Sequence, residues 1–398
     1  MFKSISLRSI RKFMESGSAG GVILLGCVVI SLIIANSPLG PGFEQLLATE
    51  LGYHTDTLHL RYPILLWVND GLMAAFFLMV GLEIKRELVT GQLSSPKKAA
   101  LPILSALGGV AVPATIYILF NQGTETAAGW GIPMATDIAF AIAIVTMLGD
   151  KVSISLKIFL AALAIVDDLI AILVIAIFYS SGLEYTNLLI AGGLFTILIV
   201  FNRLGIKSLY FYLLPGLVIW YFIHHSGIHA TIAGVLVAMT IPTKAYSADS
   251  KVSPLEKLEH ALARPVTFLI MPLFALVNTN IHFQQEMVMG LVTPLGLGII
   301  LGLLVGKPLG ITLISWIGVK TGLCAMPDKS NWVQVIGVGM LAGIGFTMSI
   351  FISLLSFAGQ ELIMAEAKFS ILIASLLSGV LGALVLSSAA KNKGITNQ

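Results

Sequence analysis

Apolar stretches long enough to cross a lipid bilayer recur along nearly the whole chain, and no other feature restricts the fold as strongly. A helix needs about 20 consecutive apolar residues to cross the hydrocarbon core. Within that core every backbone polar group must be paired inside the protein, and a helix does this within a single segment. The sequence therefore predicts an all-α polytopic membrane protein without a separate soluble domain.

Composition agrees with this class of fold. Of the 398 residues, 57% are hydrophobic and 11% are charged, whereas an ordinary soluble domain has about 25% charged residues. The net charge of +3 is small and no basic cluster marks a nucleic-acid module, so no nucleic-acid partner is expected. Cys27 and Cys324 have neither disulfide nor zinc spacing. We expect no cofactor.

The apolar stretches predict about twelve transmembrane helices in a single transmembrane domain, residues 1–398. The first apolar run, 20–35, is long for a signal peptide, which predicts an uncleaved first span. The predicted spans are 17–37, 62–86, 98–119, 125–148, 154–179, 185–202, 206–223, 226–242, 258–279, 289–316, 332–355 and 362–389.

Lysine and arginine residues are segregated by these spans. If the N-terminus is cytoplasmic, the 23 lysine and arginine residues all fall in cytoplasmic segments except Arg61, Lys307 and Lys368. Positively charged loops are retained on the cytoplasmic side of a membrane. The pattern predicts that both termini are cytoplasmic.

The longest predicted external loop, 40–61, contains aromatic and β-branched residues in partial alternation and no block of charge. Such a segment could form a small β-hairpin. The exposed edge of a hairpin can pair with a second copy of itself. The loop therefore predicts a homodimer that assembles through residues 40–61.

Two adjacent acidic residues, Asp167 and Asp168, lie in the middle of an apolar run. A carboxylate inside the bilayer is costly and marks a functional site by default. Two acids are too costly for a packing role that a serine could fill. Neighbouring helix positions point about 100° apart, so we expect the two carboxylates to have different roles.

The chemistry of this pair favours ion exchange. Burial disfavours the charged form of a carboxyl group, so the pair could hold a proton near neutral pH. A hard cation needs oxygen ligands, and a carboxylate supplies them only after it loses its proton. Proton and cation then compete for one site, and alternating access to that site would exchange one for the other. The pattern predicts that Asp167 and Asp168 bind either Na⁺ or H⁺.

Two predicted spans are interrupted at mid-membrane. Gly131 and Pro133 break the fourth span, and backbone that is not helical survives there only when buried in protein or lining water. Asp137 just after this break could neutralise the positive end of a half-helix, or it could ligate a cation together with the Thr136 hydroxyl. The eleventh span, 332–355, is interrupted by glycines between 337 and 345, and this stretch could be the matching break of an inverted repeat or a tight helix-packing surface.

Other ionisable residues within or near the spans complete the candidate set. Lys307 could neutralise Asp167 when no cation is bound, or it could compensate the C-terminal end of a half-helix. His229 could sense pH or simply pack with a hydrogen bond. Asp70 and Glu83 could form an access funnel for cations together with Arg86 and Glu87. A solvated helix end would explain the charges of Arg86 and Glu87 equally well. Titration of residues at the start of the ninth span, Lys257, Glu259 and His260, could bias a helix equilibrium.

Several of these motifs resemble the NhaA family of bacterial sodium/proton antiporters, from the first span to the last. The similar segments are Phe77-Leu-Met-Val-Gly-Leu-Glu-Ile-Lys-Arg-Glu-Leu, Ala135-Thr-Asp-Ile-Ala-Phe-Ala, Ala164-Ile-Val-Asp-Asp-Leu, Gly227-Ile-His-Ala-Thr-Ile-Ala-Gly and Gly306-Lys-Pro-Leu-Gly. That family is itself an established example of the inverted-repeat architecture.

The resemblance implies an electrogenic antiporter of the bacterial inner membrane, activated at alkaline pH. It implies that the fourth and eleventh spans are broken helices that cross, with Asp137 and Lys307 compensating the half-helix ends. Asp167 and Asp168 would then form the cation and proton site. Glu83, Glu259 and His260 would belong to a region that responds to pH.

Two other classes of protein stay open at this point. An intramembrane aspartyl protease would use acids on two neighbouring spans, but adjacent acids on one helix are poor geometry for a dyad that shares a water. A passive cation channel would use a ring of carboxylates, which a single chain with broken helices fits less well. We therefore expect a secondary transporter and not an enzyme.

Overall fold

The computed structural model describes residues 18–55, 59–180, 182–245, 252–283 and 285–395. The described chain is mostly helical. Five basic residues used above to predict the orientation lie outside the described residues: Lys3, Arg8, Arg11, Lys12 and Lys251.

The helices follow the predicted spans closely, and the longest are continuous through short π-helical turns. The π-helical turns are Trp67–Leu72, Val266–Ile270 and Gly302–Gly306. In chain order the helices are α1 (Ala19–Ala35), α2 (Gly40–Ala48), α3 (Ile64–Val89), α4 (Pro96–Asn121), α5 (Ile138–Met147), α6 (Ile154–Phe178), α7 (Tyr185–Arg203), α8 (Tyr210–His224), α9 (Ile232–Thr240), α10 (Pro254–Asn278), α11 (Gln285–Gly290), α12 (Pro294–Lys320), α13 (Trp332–Ala342), α14 (Phe346–Ser356) and α15 (Glu361–Ile395).

The all-α polytopic membrane fold is confirmed. Within the described ranges, eight helical segments are long and apolar enough to cross a membrane, one of them being Ala127–Met147, which joins a 3₁₀ segment to α5. The number rises to as many as 10 if each of two bent helix pairs counts as one span. The predicted spans 206–223 and 226–242 correspond to the shorter helices α8, with 15 residues, and α9, with 9 residues. The count of about twelve spans stays a prediction.

The outer faces of the helices are apolar. Ile33, Leu119 and Leu189 are 63%, 72% and 76% exposed. Water would disfavour so many exposed aliphatic side chains, whereas lipid tails are as apolar as leucine. These surfaces therefore suit contact with the bilayer.

Close packing divides the chain into two units. Among the described residues, the first contains 18–30, Ala100–Asp167, and the described chain from Phe283 to residue 395. In this unit α13 packs against α12 and α15, and α14 packs against the 3₁₀ segment Ala127–Met134. This unit contains both of the interrupted predicted spans.

The second unit contains Ser31–Ala99 and Asp168–His282. In it α9 packs along α3 and α8, and α8 packs along α7. Its buried core is built mainly from aliphatic and aromatic residues of α3 and α7–α10, among them Leu82, Tyr212 and Val237.

The predicted external loop contains both a helix and a hairpin. The first part, Gly40–Ala48, forms α2, which has a proline in its first turn where the missing N–H costs nothing. Strands β1 (Glu50–Leu51) and β2 (Tyr62–Pro63) pair antiparallel, and an isolated bridge joins His54 and His59. The hairpin therefore begins later and ends later than the predicted loop.

A substitution at a helix contact tests the packing of the first unit. A Cβ atom on Gly310 would overlap the carbonyl oxygen of Gly108, because the backbones of α4 and α12 nearly touch. We expect Gly310→Ala to lower the free energy of unfolding by about 1–3 kcal/mol through overpacking. The apparent melting temperature in detergent would measure this loss.

Gly192→Ala provides the matched control, because a Cβ atom on this helical residue meets nothing within 4 Å. Alanine is the better helix former by about 0.5–1 kcal/mol, so this variant should melt at the same or a slightly higher temperature. Equal melting temperatures for the two variants would contradict the close contact of α4 and α12.

Candidate cation-binding site

The fourth predicted span is interrupted where the sequence changes from glycine and proline to Asp137. The 3₁₀ segment Ala127–Met134 contains Pro133 and ends at an extended residue, Ala135, with φ −82° and ψ 152°. Asp137 is also extended and is the N-cap of α5, where its side chain accepts a hydrogen bond from Phe140 N at 3.2 Å. The chain thus enters α5 with a carboxylate at the helix start.

The eleventh predicted span is interrupted in the same unit. Helices α13 and α14 are separated by a break after Ala342 and are bent by 45°. Gly343 occupies this break, and a Cβ atom there would overlap the carbonyl oxygen of Leu303. The main chain at the two breaks meets directly, since Asp137 N donates to Ile344 O at 2.6 Å.

The Asp137 carboxylate faces the N-terminal ends of two helices. While Oδ1 accepts from α5, Oδ2 accepts from Thr347 N at 3.1 Å and from the Thr347 hydroxyl, both in the first turn of α14. A helix N-terminus has a partial positive charge and unpaired N–H groups. One buried carboxyl group therefore caps the starts of two helices, and its role in compensating their charge stays a prediction.

The opposite ends of the interrupted helices are met by hydrogen-bond donors. Lys307 Nζ donates to the carbonyl oxygen of Met134, the last residue of the 3₁₀ segment. The Thr136 Oγ1 lies 2.9 Å from Ala342 O, at the end of α13, and 2.7 Å from Asp167 Oδ2, so its single proton can be donated to either oxygen, one at a time. Helix C-termini have partial negative charge, so Lys307 compensates one end and Thr136 satisfies the other.

Asp167 joins these donors into one buried cluster. Its Oδ2 lies 2.8 Å from Lys307 Nζ and 2.7 Å from Thr136 Oγ1. Both charged side chains are fully buried. Among the described residues, no donor hydrogen-bonds to Asp167 Oδ1, which is also buried. One carboxylate oxygen is thus held by a lysine and a threonine, while the other is available to a ligand.

Asp168 follows Asp167 in the same helix, α6, and is 3% exposed. Consecutive helix positions differ by about 100°, so its side chain leaves the helix in another direction. The two side chains therefore point in different directions, and the division of roles between them stays a prediction.

The residues predicted to respond to pH lie in the second unit. Arg86 Nε is 3.1 Å from Glu259 Oε2, and Arg86 Nη2 is 3.4 Å from Glu87 Oε1. Glu83 belongs to the same helix as Arg86, whereas His260 is exposed on α10. The structure thus gives Glu259 a charged partner across two helices.

His229 lies near a different carboxylate. Its Nε2 is 3.6 Å from Asp70 Oδ1, and His224 Nδ1 is 3.2 Å from Asp70 Oδ2. Asp70 lies in the π-helical turn of α3, and such turns are frequent at functional sites. The contact between His224 and Asp70 was not predicted from the sequence.

Thr347 is the site residue that the sequence did not reveal. Hydroxyl side chains in apolar helices usually bond to the preceding turn, and α14 contains three serines besides Thr347, so nothing in the composition singles this residue out. The available signal was its position directly after the glycine-rich break, similar to that of Thr136 near the break of the fourth span.

Buried charges at the ends of interrupted helices in a multi-pass membrane protein are characteristic of ion-coupled transporters. The family model of the Na⁺/H⁺ antiporter 1 proteins matches residues 11–386. The chain belongs to this family.

Relatives with curated names cover almost the whole chain. Na(+)/H(+) antiporter NhaA 2 of Flavobacterium johnsoniae is 63% identical over 394 residues, which is 99% of this chain and 96% of the relative. NhaA of Bordetella parapertussis is 48% identical over 381 residues, 95% of this chain and 96% of the relative. NhaA of a Shewanella species is 45% identical over 390 residues, 98% of this chain and 100% of the relative.

The role of Asp137 at two helix ends can be tested by comparing two substitutions. Asp137→Ala removes every acceptor that faces α5 and α14, whereas Asp137→Asn keeps one oxygen. Because buried N–H groups left unpaired cost about 1–3 kcal/mol, we expect both variants to melt at a lower temperature, the alanine variant more so. Thr347→Ser, which keeps the hydroxyl, is the control and should melt close to the unchanged protein.

Proposed function

We propose that the protein is a secondary active sodium/proton antiporter in which Asp167 and Asp168 bind Na⁺ and H⁺ in turn. The observation that carries this proposal is the buried Asp167 carboxylate, shared between Lys307 and Thr136 at one oxygen and open at the other. The names of the relatives, which are Na⁺/H⁺ antiporters, support the same ions as substrates. The exchange uses no cofactor, and the protein is a transporter and not an enzyme.

The mechanism begins with Asp167 neutralised by Lys307. A buried carboxylate without a partner is strongly disfavoured, so the lysine keeps the site neutral while no cation is bound. A Na⁺ ion that enters the site neutralises the Asp167 carboxylate in place of the lysine. Asp167, Asp168 and the Thr136 hydroxyl supply its oxygen ligands. Lys307 then releases Asp167 and keeps its bond to Met134 O. Binding of Na⁺ and pairing with the lysine exclude each other.

Protons enter the cycle at the carboxylates. Low-dielectric surroundings favour the neutral form of an acid, so Asp168 takes up a proton when the site faces the acidic side of the membrane. Loss of that proton on the other side restores the charge that binds Na⁺. Electrogenic exchange, which we assign to this protein, needs two protons for each Na⁺, and Asp168 accounts for one of them. Li⁺ has the same charge and ligand preference and is a second substrate.

Several finer features of the fold belong to this proposal. We assign the two interrupted segments to two discontinuous helices of an inverted repeat that cross at mid-membrane. Asp137 lies at their N-terminal ends, and Lys307 and Thr136 lie at their C-terminal ends. We assign about twelve spans with both termini cytoplasmic, in the inner membrane of a bacterium. There the exchange exports Na⁺, driven by the proton gradient, and regulates internal pH.

The charged cluster of α3 and α10 suits a regulatory role. The cytoplasmic ends assigned to these helices contain Glu83, Glu259 and His260. The ion pair between Arg86 and Glu259 joins α3 to α10. Protonation of Glu259 would remove this pair. His229, which lies near Asp70, is a second residue assigned to the pH response.

Transport by membrane vesicles tests the assignment of the cation site. In everted vesicles with an imposed pH gradient, added Na⁺ should collapse the gradient for the unchanged protein. Asp167→Asn and Asp168→Asn should each lower this activity at least tenfold, because an amide neither ionises nor attracts Na⁺ as a carboxylate does. Asp150→Asn is the matched control, since Asp150 is exposed, and should transport normally.

The same assay separates exchange from passive flow. A channel would pass Na⁺ without an obligatory counterflow of protons, and the pH gradient would then survive when the membrane potential is clamped. Full activity of Asp168→Asn would disprove the site, and a response to K⁺ instead of Na⁺ would disprove the substrate.

We propose that the protein forms a homodimer through the hairpin of loop 40–61. Removing residues 53–60 would leave Gly52 and Arg61 as a two-residue turn between the paired residues Leu51 and Tyr62. Glycine suits the first position of such a turn. We expect this variant to be monomeric by light scattering in detergent while it keeps its transport activity. An unchanged dimer would exclude the hairpin as the interface.

A further inference from the structure

The hairpin brings two histidines face to face. His54 and His59 lie opposite each other in an isolated antiparallel bridge, and both are exposed. Their Nδ1 atoms are 2.7 Å apart, with ring centroids 4.7 Å apart and planes at 82°. One ring therefore donates its Nδ1–H to the Nδ1 lone pair of the other, and the two nitrogens share a single proton at the protein surface.

This geometry suits a transition-metal ion. Two imidazole nitrogens about 2.0 Å from one metal and at right angles around it are about 2.8 Å apart, as at neighbouring corners of a square-planar site. In a tetrahedral site the same nitrogens would be about 3.3 Å apart. The observed 2.7 Å is the length of the hydrogen bond, and it lies close to the first value, so a metal ion that displaces the shared proton needs little movement of the two rings. The ring that donated then carries its proton on Nε2. Cu²⁺ binds nitrogen ligands most tightly among the common divalent ions and accepts neighbouring corners of a tetragonal site.

We propose that His54 and His59 form a two-histidine site for a divalent transition-metal ion, with Cu²⁺ preferred. Neutral imidazole is a ligand for such ions, and each ring has one nitrogen with a free lone pair in its neutral form. Within the part of the chain that the structure describes, no group of three or more His, Cys, Asp or Glu residues is arranged to hold a metal. Water completes the coordination of the ion.

The backbone of the site is held in place before any metal binds. Tyr62 Oη donates to His59 O at 2.8 Å, and His59 N donates to Tyr221 Oη at 3.3 Å. Leu60 N donates to Tyr53 O across the hairpin at 3.0 Å. A ligand pair that is already positioned loses little freedom on binding, which raises affinity.

The nearest other histidine does not complete the site. His225 has a ring centroid 6.4 Å from that of His59, but both of its ring nitrogens face other partners. Nδ1 lies 2.9 Å from Tyr221 O and Nε2 lies 3.1 Å from Tyr62 Oη. The proposed ligands from the protein are therefore His54 and His59 only.

Copper titration of the purified full-length protein, prepared without a histidine tag, tests the proposal. At pH 8, where proton competition for imidazole is weak, one Cu²⁺ should bind per chain, and its electron paramagnetic resonance spectrum should show two nitrogen ligands. His54→Gln and His59→Gln should each weaken binding at least tenfold and leave one nitrogen. Ni²⁺ and Zn²⁺ should bind more weakly than Cu²⁺.

His282→Gln is the matched control, because His282 is also exposed but lies 2.7 Å from Glu44 instead of a second histidine. This variant should bind copper like the unchanged protein. Copper binding that is unaffected by both hairpin substitutions, or that disappears equally in the control, would overturn the proposal.

A second readout reports binding at the hairpin itself, even if a glutamine variant folds poorly. Trp67 Nε1 donates to Leu51 O of β1 at 3.0 Å, so this indole lies beside the hairpin. Paramagnetic Cu²⁺ should quench its fluorescence, whereas Zn²⁺ should not. Trp220 stacks on Trp67 with ring centroids 6.0 Å apart, so both indoles lie within range of a metal at the hairpin. Trp67→Phe should reduce the quenched component without changing copper affinity, and adding Trp220→Phe should abolish it. Quenching that persists unchanged in the double variant would place the metal elsewhere.

Discussion

The burial of one ion pair, between Asp167 and Lys307, governs the organisation of the first unit. Moving two charges out of water costs several kcal/mol for each ion, and their attraction offsets this only when other polar groups complete the site. Thr136 supplies a hydroxyl to the carboxylate, and the end of the 3₁₀ segment supplies a carbonyl to the lysine. The interrupted backbone thus surrounds the two charges, and it also supplies the carbonyl that the buried lysine needs as a partner.

Backbone breaks and ionisable residues depend on each other in this unit. Each break leaves unpaired N–H groups on one side and unpaired carbonyls on the other, which lipid cannot satisfy. Asp137 meets two of the N-terminal ends, while Lys307 and Thr136 meet the two C-terminal ends. Without these groups the breaks would be too costly, and without the breaks the charges would lack partners.

Sequence reasoning reached this cluster because intramembrane charges are rare and each needs a partner. The same reasoning placed most helices, since a run of about 20 apolar residues has few alternatives in lipid. It did not reveal Thr347, whose contact with Asp137 depends on how the two breaks meet in space. It also did not anticipate that residues Gly40–Ala48 form a helix, because a short amphipathic segment has no length signal.

The lysine gives the proposed exchange a way to avoid uncoupled leak. An empty site with a bare carboxylate would be costly inside the membrane, and a site that is always protonated would not attract Na⁺. Lys307 lies 2.8 Å from Asp167 and keeps the empty site neutral without consuming a proton from either side. Because it occupies one carboxylate oxygen and leaves the other open, Na⁺ can approach the open oxygen and replace the lysine as the partner of Asp167. Lys307 then keeps its hydrogen bond to Met134 O, so neither side chain loses all of its buried polar partners.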